Sequence, residues 1–319
     1  MRVVVSALVA AVFSAAVVAG SRPAVAGVPE GAPSGSSGTT HDTVSGQAQG
    51  CLPGALGAAN LVGRAHDLAL KLLQRMMFLH IPKTGGTSVE DMIPDRSTRK
   101  VVEGRGIRWR KSSSWHLPPD VFATTEAGRL THVYENQTVF SVVREPRERY
   151  SSEVQWRVGW NDTSGALPPL TDDRASRSAA MLAARGRWGA METESLVHLQ
   201  PQAWFVWAET GAVQSGCVIA FEKATALLPT ARMDHTEGRR LAHSLPSPAQ
   251  SAAEAAARPA PPPLLSALYA IDTLLWAAAL ASPCLCYRPP ALPPAYLARL
   301  GRLSHEELGA IKALLMQCA

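Results

Sequence analysis

Apolar residues fall in separated runs along the chain, and each run predicts a different kind of element. The first, Val3 to Gly20, follows Arg2 and is interrupted only by Ser6 and Ser14. As a helix its 18 residues are roughly 27 Å long, about the thickness of an endoplasmic reticulum bilayer. Ala24-Val25-Ala26 also reads as a small-x-small cleavage site, and no acidic residue precedes Glu30. Residues 1–26 are thus an uncleaved signal anchor, a cleaved signal peptide or an organellar transit peptide. The first two readings send the chain into the secretory pathway. Residues 27–70 open on a Gly-, Ser-, Pro- and Thr-rich stretch that reads as a flexible stem.

Three shorter runs read as strands: Met76 to Leu79, suited to a buried parallel strand, the β-branched and aromatic Thr138 to Val143, and the apolar Cys217 to Phe221. Beyond them, 13 of the 18 residues from Pro246 to Pro263 are Ala or Pro, which predicts a linker. Leu264 to Tyr287 is apolar except for Asp272, Pro283 and a few hydroxyl residues. It reads as a buried helix, a poorly specified segment or a second membrane contact. Last comes an amphipathic helix: Ser304 caps it, Glu307 completes a capping box, and Leu308, Ile311 and Leu315 share one face.

Composition narrows the class. Of 319 residues, 46% are hydrophobic and 18% charged, so a sizeable core forms and wholesale disorder is excluded. The formal net charge of +5 suits an anionic ligand, but the basic residues are too scattered for a dedicated nucleic-acid binder. Five cysteines exclude a disulfide scaffold, and their odd number leaves one thiol free or intermolecular in an oxidising lumen. Two Asn-x-Ser/Thr sequons, at Asn136 and Asn161, are compatible with secretion.

Chemistry concentrates between Arg75 and Glu222. The first strand runs into His80-Ile81-Pro82-Lys83-Thr84-Gly85-Gly86-Thr87-Ser88 and then a helical segment. Pro82 and the glycine pair allow a tight turn and a close approach of backbone N–H groups to a ligand. Thr87 or Ser88 can cap the helix, with Glu90 or Asp91 three residues on. Strand, glycine turn, helix N-terminus and adjacent lysine together make an anion site. It is not the nucleoside-triphosphate loop, because the lysine precedes the glycines and Gly-x₄-Gly-Lys-Ser/Thr is absent.

All nine residues of that loop resemble the 5′-phosphosulfate loop of Golgi carbohydrate sulfotransferases, especially the heparan sulfate 2-O- and 6-O-type. The resemblance implies 3′-phosphoadenosine 5′-phosphosulfate (PAPS) as donor. It also implies a P-loop-like sulfotransferase fold, a single α/β domain whose mostly parallel sheet is flanked by helices. Lys83, Thr84, Gly85, Gly86, Thr87 and Ser88 would then hold the donor's 5′ end. No metal is implied, since a sulfuryl group carries less negative charge than a phosphoryl group.

The second strand ends in Arg144-Glu145-Pro146-Arg147-Glu148-Arg149-Tyr150-Ser151-Ser152-Glu153, with Pro146 suited to the first turn of a helix. Arg144 would sit at the carboxyl end of a parallel strand, where α/β sheets bind ligands. This stretch is similar to the family segment in which an arginine and, eight residues later, a serine hold the donor's 3′-phosphate. Arg144 and Ser152 have that spacing, and bidentate bonding explains arginine there. Read without the resemblance, the same stretch is a solvated helix with i,i+4 ion pairs such as Glu145–Arg149.

Relatives carry a histidine base between these two motifs, which points to His116 in Trp115-His116-Leu117-Pro118-Pro119; His132, His198 and Glu103 are the alternatives. A histidine packed on Trp115 without catalytic duty is the plainer reading. His198 to Gln202 is similar to the family's His-x-x-Pro-Gln segment, as packing or as a substrate contact. Glu222, closing the third strand, reads as structural. Seven Lys/Arg between Arg96 and Lys111 form a polyanion contact or a solvated loop. His-Glu-x-x-His, a zinc-knuckle spacing and Gly-x-Ser-x-Gly are all absent.

The expected organisation is an anchor or signal at 1–26, a stem at 27–70, a sulfotransferase domain at 71–245, a linker at 246–263 and a helical region at 264–319. The expected activity is sulfuryl transfer from PAPS to a glycan hydroxyl by a lumenal domain on the Golgi membrane, with Lys83 and His116 as catalytic residues. The rivals are a non-catalytic lumenal glycan-binding relative and a P-loop-type kinase, which would need a metal and ATP.

Overall fold

Each of the three predicted strands alternates its side chains between two apolar surfaces, and that alternation organises the molecule. The computed structural model describes residues 62–93, 96–104, 114–164, 169–189, 194–227 and 259–319. They belong to one compact unit, Ala48–Ala319. The strands are β1 (Met77–Leu79), β2 (Val139–Val143) and β3 (Cys217–Ala220), paired in the order β1-β2-β3 with both pairings parallel. Register sets Phe78 beside Phe140, and Phe140 beside Cys217. Met77, Leu79, Val139, Val143, Val218 and Ala220 enter one core; Phe78, Phe140, Val142, Cys217 and Ile219 enter the other. Strands buried on both faces are continuous apolar runs for this reason.

Helices cover both faces. On the second face lie α1 (Val62–Leu73), α2 (Gly86–Met92) and, after β3, the helix Phe221–Leu227, which contribute Ala69, Leu73, Val89, Ala224 and Leu227. The expected stem therefore needs correction at its end. Residues 62–70 are helical, because Ala69 and Leu73 lie four apart on one apolar stripe that docks beside Met76 and Phe78. The remainder of the stem, the Val3–Gly20 run with its cleavage site, and linker residues 246–258 lie outside the described residues.

The chain continues in order with α3 (Thr98–Gly104), a 3₁₀ turn at Ser114–His116, α4 (Pro119–Phe122) and α5 (Glu126–Thr131) between β1 and β2. Between β2 and β3 come α6 (Pro146–Ser164), α7 (Asp172–Gly189, kinked at Gly186), α8 (Glu194–Val197) and α9 (Ala203–Val206). After β3 follow α10 (Phe221–Leu227), α11 (Pro263–Leu268), α12 (Ala270–Ala281), α13 (Pro294–Ala298) and α14 (His305–Gln317). Among the described residues no helix is long and apolar enough to cross a membrane.

Residues 259–319 form an integral layer of this core. Of the readings open for residues 264–287, the buried helix is the one found: Leu265, Leu268, Tyr269, Ile271, Leu275 and Ala278 pack under the first face. Pro263, assigned to the linker, is the first residue of α11. Past α12 the chain returns to the sheet, where Tyr287 and Val218 exchange backbone hydrogen bonds at 2.8 and 2.9 Å. Cys217 and Cys286 form a disulfide beside that bridge, while Cys318 keeps a free thiol. The Ser304–Glu307 capping box starts α14, and Ile311 and Leu315 are buried as the periodicity predicts.

Candidate functional site

The strands are parallel and adjacent, so the segments leaving their carboxyl ends meet along one edge. From β1 comes the His80–Gly86 turn, from β2 Arg144, and from β3 Phe221. Two residues of the turn have left-handed backbone, Lys83 at φ 66° and Gly85 at φ 79°. For lysine that conformation costs roughly 1–2 kcal/mol, and two buried hydrogen bonds hold it. Thr84 Oγ1 donates to Ile81 O at 2.8 Å, and Arg149 Nε donates to Pro82 O at 2.9 Å. Glycine is required at both following positions. A methyl group on Gly85 would come within 2.8 Å of Phe221 Cε2, and one on Gly86 would overlap the His80 imidazole.

These contacts correct the expected cap. The helix α2 begins at Gly86 with left-handed Gly85 at its N-cap, and no side chain caps it. Thr87 and Ser88 lie within its first turn, exposed and half-buried respectively. Glu90 instead turns inward, where His80 Nδ1 lies 3.0 Å from its Oε1 and Arg99 Nη1 3.4 Å from its Oε2. The hydroxyl of Thr84 is directed into the turn itself.

Arg144 follows β2. Its guanidinium carbon stands 4.6 Å above the Phe221 ring, and Nη2 lies 3.6 Å from Glu148 Oε2. Phe221 therefore touches both Arg144 and the space beside Gly85, which brings the His80–Ser88 turn and the end of β2 together. The backbone of Arg144 is fixed by Gln202, whose Oε1 accepts from Arg144 N at 2.9 Å and whose Nε2 donates to Arg144 O at 2.8 Å. Gln200 Nε2 donates to His116 O at 3.1 Å. The two glutamines of the His198–Gln202 segment thus position Arg144 and His116. Ser152 sits half-buried on α6, one residue before Glu153.

Three histidines stand in a row beside the turn. His116 lies edge-on to His80 at 4.6 Å and to His198 at 5.0 Å between ring centroids, and Trp115 is 5.9 Å away. His198 Nδ1 is 3.0 Å from Glu153 Oε2, and its ring lies 4.9 Å from Trp156. Lys83 Nζ rests 3.7 Å from the centre of the same Trp156 ring and 3.8 Å from Glu153 Oε2. Burial pushes the Lys83 ammonium down to about 7; Glu153 opposes this, while Arg157, Arg144 and Arg149 add to it. Burial would raise Glu153, but His198, Lys83 and Arg157 together hold it down at about 2.

Lys83, Gly85, Gly86, Arg144 and His116 therefore gather at the carboxyl edge of the sheet. His132 does not join them: it caps α5 at the surface beside Glu135. The Glu103 side chain and residues 105–111 of the basic run lie outside the described residues. Arg149 departs from the ion pair expected with Glu145. It is buried, with Nη2 donating to His198 O at 2.9 Å, and the Glu145 carboxylate accepts from Glu148 N instead. Glu222 does bond a structural partner, Trp276 Nε1. Sequence reasoning missed Glu153, Trp156, Arg149 and Asp272. The last accepts from Gln202 N and Ala203 N, both at 2.8 Å, and burial raises its carboxyl to about 6.

No protein-family profile, curated protein or solved structure matches this chain.

Proposed function

We propose that the chain is a PAPS-dependent carbohydrate O-sulfotransferase with a P-loop-like sulfotransferase fold. One observation carries this reading: Lys83, on a strained glycine turn, and Arg144, at the end of the adjacent strand, lie at one sheet edge with a histidine row beside them. Two separated cations suit a donor with phosphate groups at both ends.

In this reading the turn's amides and Lys83 face the 5′-phosphosulfate, Thr84 contributing through its backbone, and Thr87 and Ser88 offer hydroxyls from the first turn of α2. Arg144 and Ser152 face the 3′-phosphate. His116 takes the proton of a glycan hydroxyl as that oxygen bonds to sulfur. The sulfur–oxygen bond to phosphate breaks, its electron pair leaves on the phosphate oxygen, and Lys83 stabilises that charge. The cations of the chain suffice for so weakly charged a group, so no metal is assigned. The Cys217–Cys286 disulfide supports an oxidising compartment. In this reading the Val3–Gly20 run is a single-pass anchor, and the domain works in the Golgi lumen on a glycosaminoglycan-like or glycoprotein glycan, with no nucleic-acid partner.

Thermal shift tests the donor assignment. Adenosine 3′,5′-bisphosphate, the spent donor, should raise the melting temperature, and ATP with Mg²⁺ should not. A charge-assisted hydrogen bond contributes roughly 1.5–3 kcal/mol, so Arg144→Ala should weaken bisphosphate binding about 10- to 150-fold. Equal protection by ATP would favour a kinase and overturn the reading.

A further inference from the structure

A single oxygen of Glu153 serves two basic side chains. Oε2 lies 3.8 Å from Lys83 Nζ and 3.0 Å from His198 Nδ1, and the lysine, carboxylate and imidazole side chains are 14%, 1% and 5% exposed. Both bases also pack on Trp156. The other carboxylate oxygen takes Arg157 Nε. Further charged or titratable groups face this trio from every side. Arg149 belongs to the same helix, Arg144 with Glu148 stands at the end of β2, and His116 on the 3₁₀ turn has His80 and Glu90 behind it. Tyr269 and Asp272 approach from the C-terminal helices.

We propose that Lys83, Glu153 and His198 form one proton-sharing unit that couples donor binding to uptake of a proton. This rests on the donor reading above. Glu153 divides its charge between two bases, so what one base gains the other loses. With burial holding the Lys83 ammonium down at about 7, part of the free chain carries a neutral lysine at neutral pH. An anionic donor arriving at the turn favours the ammonium, so binding takes up the missing fraction of a proton. Glu153 is a positioning residue here, acting through Lys83.

Calorimetric titration with adenosine 3′,5′-bisphosphate, in buffers of different ionisation enthalpy from about pH 6 to 9, reads the linkage directly. Proton uptake is expected, and affinity should fall about tenfold per pH unit above a midpoint near 7. Glu153→Gln removes the charge that supports the ammonium and should lower that midpoint by about one pH unit or more. His198→Leu releases Glu153 to the lysine and should raise the midpoint. It retains both charges of the Lys83–Glu153 pair, so the shift can be read even where Glu153→Gln fails to fold. Affinity independent of pH, absence of proton uptake, or two variants shifting in the same direction would overturn the proposal. A bisphosphate that binds at no pH would instead sink the donor reading. NMR titration of Lys83 in the ligand-free chain then decides alone: a midpoint near 7 raised by His198→Leu supports the unit, and an ordinary lysine midpoint refutes it.

Discussion

Gln202 grips the backbone of Arg144 from both sides, taking its N–H at 2.9 Å and giving a hydrogen bond to its carbonyl at 2.8 Å. A primary amide is the side chain that can do both at once, since it carries a donor and an acceptor side by side. The pair fixes the point where β2 ends and α6 begins, and so fixes where the arginine guanidinium can reach. Asp272 holds Gln202 in turn through its backbone N–H.

Gln202→Ala should therefore destabilise the protein by about 2–4 kcal/mol, because it strands a donor and an acceptor in a part-buried place. Chemical denaturation measures that loss. Bisphosphate affinity in the protein that remains folded should fall as well, although Gln202 itself meets no ligand. Unchanged stability would show that the amide pairing is incidental.

Gly86→Ala should be damaging in a different manner. The added methyl would overlap the His80 ring, which is tied to Glu90, so the imidazole or the turn must move. Overpacking of this kind costs typically 1–3 kcal/mol. Bisphosphate protection should disappear in the same variant, and His80→Ala in the same chain should restore part of the stability by making room. A Gly86→Ala protein with normal melting temperature and normal bisphosphate protection would contradict the close packing of the turn.

Acid should expose Glu153. Its folded carboxyl lies at about 2 against an ordinary 4.5, so ionisation there favours the native state above 4.5, and that contribution fades as pH falls towards 2. The effect is at most about 3 kcal/mol. Asp272 acts in the opposite sense, since burial raises it from 3.8 to about 6 and stability falls as pH rises through that interval. Wild type should lose more stability than Glu153→Gln between about pH 4.5 and 2 in urea titrations. Parallel acid limbs would show that Glu153 ionises no more readily in the fold than in the unfolded chain.

Local patterns made much of this legible. Three apolar runs gave three buried parallel strands within a residue of their limits, because such strands need apolar side chains on both faces. The His80–Ser88 loop and Arg144 stood out by chemistry, and both lie at the site edge. Pairings between distant residues were hidden. Gln202 and Asp272 are 70 positions apart, and nothing local marks Asp272 as the acceptor that tethers α9 to the C-terminal helices. Arg149 was misleading because Glu145 four residues earlier spells a surface pair, whereas the fold turns that guanidinium inward to two carbonyls. The start of α2 at Gly86 depended on a left-handed Gly85 that a capping pattern does not encode.

Transfer itself is the most direct test. The folded chain, incubated with ³⁵S-labelled PAPS and a panel of desulfated glycans, should move label to at least one glycan without added metal. His116→Ala should lose a factor of about 10²–10⁴ in turnover, the usual contribution of a general base, while binding the bisphosphate within about threefold of wild type. Lys83→Ala should lose both turnover and affinity. Bisphosphate binding with no label transferred to any glycan would mark a non-catalytic relative, and a His116→Ala enzyme keeping more than about a tenth of wild-type turnover would move the base elsewhere, with His198 next in line.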